Sequence, residues 1–93
     1  FNGYLPIDAR DRMIALKDME IRSRKATQLF MEAPYRNNQF LEFLIKNLQK
    51  DTQLCVAVDI EKEGEETIVS KPIKDWKVNE LELHKKPAIF IIG

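Results

Sequence analysis

Apolar residues recur at three- and four-residue spacing in two stretches of the chain and crowd into short continuous runs elsewhere. The first spaced stretch follows Asp8, a good N-cap, with Asp11 placed in the first turn where the helix dipole favours a carboxylate. It predicts a helix from about Ala9 to Ile21, with Ala9, Met13, Leu16 and Met19 on one broad face and Arg10, Lys17 and Asp18 pointing elsewhere. Ile14 and Ile21 fall off that stripe and hint at a second contact surface. Arg22 to Lys25, RSRK, ends the helix with cations where they are favoured and reads as a solvated helix end.

Thr27 to Met31, TQLFM, is fit for a short strand. After the join EAPYR comes a second helix, from about Asn38 to Gln49, with Asn37 as its cap and Phe40, Phe43, Leu44 and Leu48 at helical spacing. That aromatic pair reads as core. Gln53 to Ile60, QLCVAVDI, is almost continuously apolar and rich in valine, which predicts a central strand covered on both faces, with Cys55 buried in it. A charged turn with Gly64 at its tip and a returning ETIVS strand complete a hairpin. From Pro72, suited to a first helical turn, to about Leu83 the chain reads as a short, irregular helix carrying Ile73, Trp76 and Leu81 inward. Pro87 to Gly93, PAIFIIG, is a β-branched strand introduced by a proline.

In order these elements run α, β, α, β, β, α, β. The expected class is α/β (α+β): helices packed on a mixed sheet of four or five strands, a βαββαβ-like core of ferredoxin-like order preceded by an N-terminal helix. At 93 residues the chain is the size of one domain. The opening FNGYLP, with Gly3 and Pro6 as punctuation, reads as a lead-in from the middle of a longer protein.

Composition narrows the chemistry. Apolar residues make up 44% and charged residues 32%, an ordinary globular balance, and 15 basic residues offset 15 acidic ones. No net field draws the whole domain to nucleic acid or to an anionic membrane, so any RNA contact has to be local. No apolar run is long enough to span a membrane, and no charged-then-apolar secretory segment opens the chain, which predicts a cytoplasmic protein. One cysteine and one histidine, Cys55 and His84, cannot build a zinc cluster, and three scattered glycines cannot build a phosphate loop. The valine-rich strand lacks the aromatics with which RNA-binding modules of this element order stack bases.

Two carboxylates remain, Glu32 at the end of one predicted strand and Asp59 near the end of another. Ligands of open α/β sheets commonly lie outside the carboxyl ends of strands, which makes both candidates. The competing assignment has them facing solvent, or pairing with Arg36 or a lysine.

FNGYLP, the charged helix, a strand ending in EAPYR, the valine-rich strand and KPAIFIIG together resemble the C-terminal half of the tetrapyrrole methylase superfamily. The branch most similar is the ribosomal RNA small subunit methyltransferase I type, in which F-x-G-[FY]-L-P and E-[ST]-P-[HY]-R recur. The resemblance covers essentially the whole chain. It implies a two-domain enzyme using S-adenosylmethionine in a cleft between its domains, with residues 1–93 as the second domain and the glycine-rich part of the cofactor site in the first. It also implies that Glu32, Ala33 and Pro34 lie against the cofactor, that Ile60 adds backbone contacts, and that Arg36 and Tyr4 lie on the substrate side.

The resemblance further implies ribosomal RNA or the small ribosomal subunit as partner, a ribose 2′-oxygen as methyl acceptor, and a homodimer. No metal is called for and no general base is identified. Where that branch often has an R-E-L-T-K run, this chain reads VDIEK, without the arginine. Two rival functions follow: a methyltransferase acting on a tetrapyrrole or other small acceptor, and a stand-alone ferredoxin-like module that binds protein or RNA without catalysis.

Overall fold

The computed structural model describes residues 5–32, 36–59, 64, 66–77, 80–81, 83 and 86–93. The described elements are α1 (Ala9–Arg22), β1 (Gln28–Met31), α2 (Asn37–Asn47), β2 (Gln53–Val58), β3 (Thr67–Pro72), a 3-10 turn (Ile73–Asp75) and β4 (Ala88–Ile92). This is the α+β fold that the sequence pattern predicts, with a helix ahead of the strands.

The strand order is β1-β4-β2-β3, and every neighbouring pair is antiparallel. The crossover through α2 does make β1 and β2 parallel, as expected, but β4 inserts between them. The anticipated mixture of ladders is therefore absent among the described strands. Phe30 pairs with Phe90 and Phe90 with Val56, so β4 is central and carries the core across the sheet.

One face of this sheet holds the core. Phe30, Leu54, Val56, Val58, Ala88, Phe90 and Ile92 are buried together with Leu16 and Met19 of α1 and Phe40, Leu41 and Leu44 of α2. Phe40 meets Phe90 edge-on at 4.9 Å and Phe30 edge-on at 5.6 Å, geometry that suits the ring quadrupoles and adds roughly 0.5–1.5 kcal/mol per pair beyond the area buried.

The opposite face is only half-buried at Leu29, Met31, Cys55, Ile89 and Ile91. Full cover on both faces, expected from the run of valines, is thus not found. The physical reason lies in the strand period: residues 54, 56 and 58 point to the helices, while Cys55 points the other way. Cys55 is correspondingly half-buried.

Two further expectations need correction. Among the described residues between β3 and Leu83, the helical part is a 3-10 turn, Ile73–Asp75, with Ile73 and Trp76 buried and Leu81 half-buried. Trp76 is anchored there by its indole N–H, which donates to Leu54 O at 3.1 Å and Lys71 O at 3.0 Å. The tryptophan is thereby tied to both β2 and β3.

Asn37 does not cap α2 either. Arg36 occupies the N-cap and makes no side-chain bond to the helix, while Asn37, fully buried, donates Nδ2–H to Lys86 O at 2.7 Å. Asn38 Oδ1 accepts from Leu83 N at 3.2 Å. The start of α2 is therefore spent on holding the approach to β4.

Candidate functional site

Because β1 and β2 are parallel, their carboxyl ends open on the same edge of the sheet. Glu32 follows β1 and Asp59 follows β2 there, with the start of β4 between them; Asp59 N donates to Pro87 O at 3.0 Å. The two carboxylates singled out in the sequence are thus brought to one edge, as strand-end ligand groups in open sheets are.

Their environments differ. Glu32 is buried, its side chain only 4% exposed, and Arg12 reaches its Oε2 at 2.9 Å while Arg36 approaches its Oε1 at 3.4 Å. Two guanidiniums thus approach the one carboxylate. Arg12 is held further by aromatic faces: its guanidinium carbon lies 4.6 Å from the Phe40 centroid and 4.9 Å from that of Phe43, within the range of favourable cation–π contact.

Asp59 is also buried, at 7% exposure. Its backbone has φ of 56°, the left-handed region that costs a non-glycine residue energy, though aspartate tolerates it better than most. Its Oδ1 is buried with no hydrogen-bond partner among the described residues. Strain and an unmet acceptor on one residue are a common mark of a position kept for function.

Arg12 is the residue that sequence reasoning missed. It lies four positions before Leu16 and eight before Glu20, both buried on α1, so an arginine on the inward face of the helix was the available signal. Glu20 marks the other end of that face and has a structural task, accepting from Gln49 N at 2.7 Å and Thr52 Oγ1 at 2.6 Å. Of the other predicted site residues, Tyr4, Ala33, Pro34 and Ile60 lie outside the described residues, as does His84.

A recess of about 240 Å³ adjoins the Arg12–Glu32–Arg36 cluster, lined by Ile7, Ala9, Arg12, Arg36, Gln39 and Phe43. A second, of about 340 Å³, lies at the far end of α1 beside Glu20, Ser23, Arg24 and Gly93. Among the described residues no group of three or more histidine, cysteine, aspartate or glutamate side chains is placed to hold a metal ion, and no helix is long and apolar enough to cross a membrane.

The class these features define is an α+β domain with a split β-α-β crossover and carboxylates at the shared strand ends. No family model matches the sequence, and no curated protein matches it. Among solved structures, the fold matches the crystal structure of the methyltransferase CobJ with a TM-score of 0.55 and 13% identity, over 98% of this chain and 40% of that one. The likeness is one of fold, and the chain spans less than half the length of CobJ.

Proposed function

We propose that this chain is the C-terminal domain of an S-adenosylmethionine-dependent methyltransferase, whose acceptor is a ribose 2′-oxygen of ribosomal RNA. What supports it is the sheet edge: two parallel strands, with the start of β4 between them, end in Glu32 and Asp59, in a fold shared with part of a methyltransferase. The motifs FNGYLP, EAPYR and KPAIFIIG point to the same class.

The residues present suit one wall of a cofactor cleft. Asp59 Oδ1, buried with no hydrogen-bond partner among the described residues, can accept a hydrogen bond, and S-adenosylmethionine carries hydroxyl and ammonium donors. Glu32 contributes differently, because its oxygens are already engaged by Arg12 and Arg36. It fixes the shape of the strand end rather than recognising a ligand with its charge. When bound, the cofactor supplies a methyl group on a sulfonium, so the protein's task is chiefly alignment of donor and acceptor.

The test is a labelled-methyl assay of the full-length protein on small ribosomal subunits from a strain lacking it. Label in ribose of ribosomal RNA is the expected result. Label confined to a tetrapyrrole or other small acceptor would overturn the RNA assignment while keeping the enzyme class, and no transfer to either acceptor would favour a non-catalytic binding module. Homodimerisation and a cytoplasmic location belong to the same proposal; sedimentation and cell fractionation of the full-length protein test them.

A further inference from the structure

The outer side of α1 carries a seven-residue repeat. Among the described residues four large apolar side chains are exposed, and three of them, Ile7, Ile14 and Ile21, fall seven positions apart. The chain there reads I-x-x-R-D-x-x-I-x-x-K-D-x-x-I, so the first two isoleucines are each followed, three and four positions on, by a cation and an aspartate. Ile7 precedes the N-cap Asp8, whereas Ile14 and Ile21 lie within the helix. An ideal helix drifts by only about 20° over seven residues, which stacks Ile14 and Ile21 on one line about 10 Å apart. Leu16 and Met19, on the opposite side of α1, are buried in the core. The isoleucine line therefore points away from the domain.

Charge flanks this line with a fixed sense. At about 100° per residue, Arg10 and Lys17 fall roughly 40–60° to one side of Ile14, and Asp11 and Asp18 as far to the other. All four are exposed. Lys17 also donates to Asn47 O and Asp18 pairs with Arg22 at 3.1 Å, yet their side chains stay 48% and 64% exposed. An apolar line between a basic row and an acidic row is complementary to itself. A two-fold axis parallel to the helix sets each isoleucine against its equivalent in a second copy and brings basic row to acidic row, Arg10 beside Asp11 and Lys17 beside Asp18. A two-fold axis across the helix would instead set Arg10 beside Lys17 and Asp11 beside Asp18, like against like. A partner of one charge sign, or an anionic lipid surface, would meet one of the two rows unfavourably.

We propose that the outer face of α1 is the surface through which two copies of this chain associate, with their α1 helices side by side and parallel. Ile14 and Ile21 supply the apolar contact, and Arg10 with Asp11 and Lys17 with Asp18 set the direction. This face then holds together the homodimer of the proposed function, the one part of that reading on which it rests; methyl transfer is independent of it. A helix of 14 residues offers a strip about 21 Å long and about 10 Å wide, less than the roughly 800 Å² per partner of a standard interface. The association is accordingly weak, with Kd of the order of 10–100 µM.

Sedimentation equilibrium of the full-length protein at low salt, where exposed charges are least screened, tests it at concentrations up to about 300 µM. A reversible dimer is expected. Ile14→Glu and, separately, Ile21→Lys should each weaken it at least about tenfold, with the thermal midpoint little changed because both side chains are exposed and both replacements suit a helix. Arg10→Glu and Asp11→Lys should each weaken association about two- to fivefold. The double variant, in which the two signs are exchanged, should return it to the wild-type value. Tighter association of Arg10→Glu would mean like rows facing and would overturn the parallel arrangement. A dimer indifferent to both isoleucine variants would overturn the surface while leaving the homodimer, and a monomer throughout would overturn both; neither result bears on whether methyl groups are transferred.

Discussion

Replacing Glu32 by glutamine removes the charge that holds Arg12 and Arg36 while keeping the side-chain shape. The side chain is 4% exposed, against 15% for Arg12 and 29% for Arg36. Arg12 is thus the guanidinium left stranded, with ring faces and no carboxylate, whereas Arg36 can rehydrate in part. Breaking a buried pair by removing one partner costs about 3–5 kcal/mol. The partial exposure of the arginines places Glu32→Gln near the lower end, about 3 kcal/mol. Folded domains are stable by only about 0.05–0.15 kcal/mol per residue, so this is a large share of what a small domain has.

Urea unfolding at pH 7 measures it. With a slope of about 1–3 kcal/mol/M, the midpoint should fall by about 1 M or more. Arg12→Met keeps the bulk over Phe40 and Phe43 and leaves Arg36 with Glu32, so it should cost less, about 1–2 kcal/mol. The double variant should cost less than the sum of the singles by at least about 0.5 kcal/mol, the signature of groups in contact. A loss below about 1 kcal/mol for Glu32→Gln, or strict additivity in the double variant, would refute the reasoning that Glu32 is a buried counterion.

Asp59→Gly should stabilise the domain by about 0.5–1 kcal/mol, since glycine adopts φ of 56° without strain and the unpartnered Oδ1 disappears; calorimetry should show a higher Tm, and a lower one would mean that the carboxylate has a stabilising partner. In the full-length enzyme the same change should weaken S-adenosylmethionine binding, read by isothermal titration. Trp76→Phe should cost about 1–3 kcal/mol in urea unfolding because it withdraws the N–H shared by Leu54 O and Lys71 O. The carboxyl of Glu80 is held below its usual range first by the hydrogen bond from the Lys71 ammonium, with a smaller contribution from Lys77 N–H, against a desolvation that works the other way. A lowered folded-state pKa means stability present above the ordinary glutamate value of about 4.3 and lost as pH falls through the folded value; stability curves of wild type and Glu80→Gln should differ at neutral pH and converge in acid, and parallel curves would contradict the assignment.

Local patterning was enough to place α1, β1, α2, the hairpin and β4, because periodicity and capping act over a turn or a strand. Asp8 caps α1 as its position predicts, with the Asp11 N–H donating to it. Equally legible were the two strand-end carboxylates, since Glu32 and Asp59 interrupt otherwise apolar strand ends. Asn37 shows the limit of local rules: its cap geometry was available nearby, but burial against Lys86, remote in sequence, was the stronger demand.

Tertiary structure decided the rest. Nothing in the spacing of TQLFM, QLCVAVDI and PAIFIIG says which strand lies between which, and insertion of β4 between β1 and β2 makes every ladder antiparallel. Nor does sequence say which cation neutralises Glu32. Arg36, near it in the chain, was foreseen; Arg12 comes from another helix and arrives only because α1 and α2 share one face of the sheet. Periodicity determines which way a side chain points along its own element, while packing of distant elements determines what it meets. That is why the carboxylates could be read from the chain and the paired arginines, with the recess between two helix ends, could not.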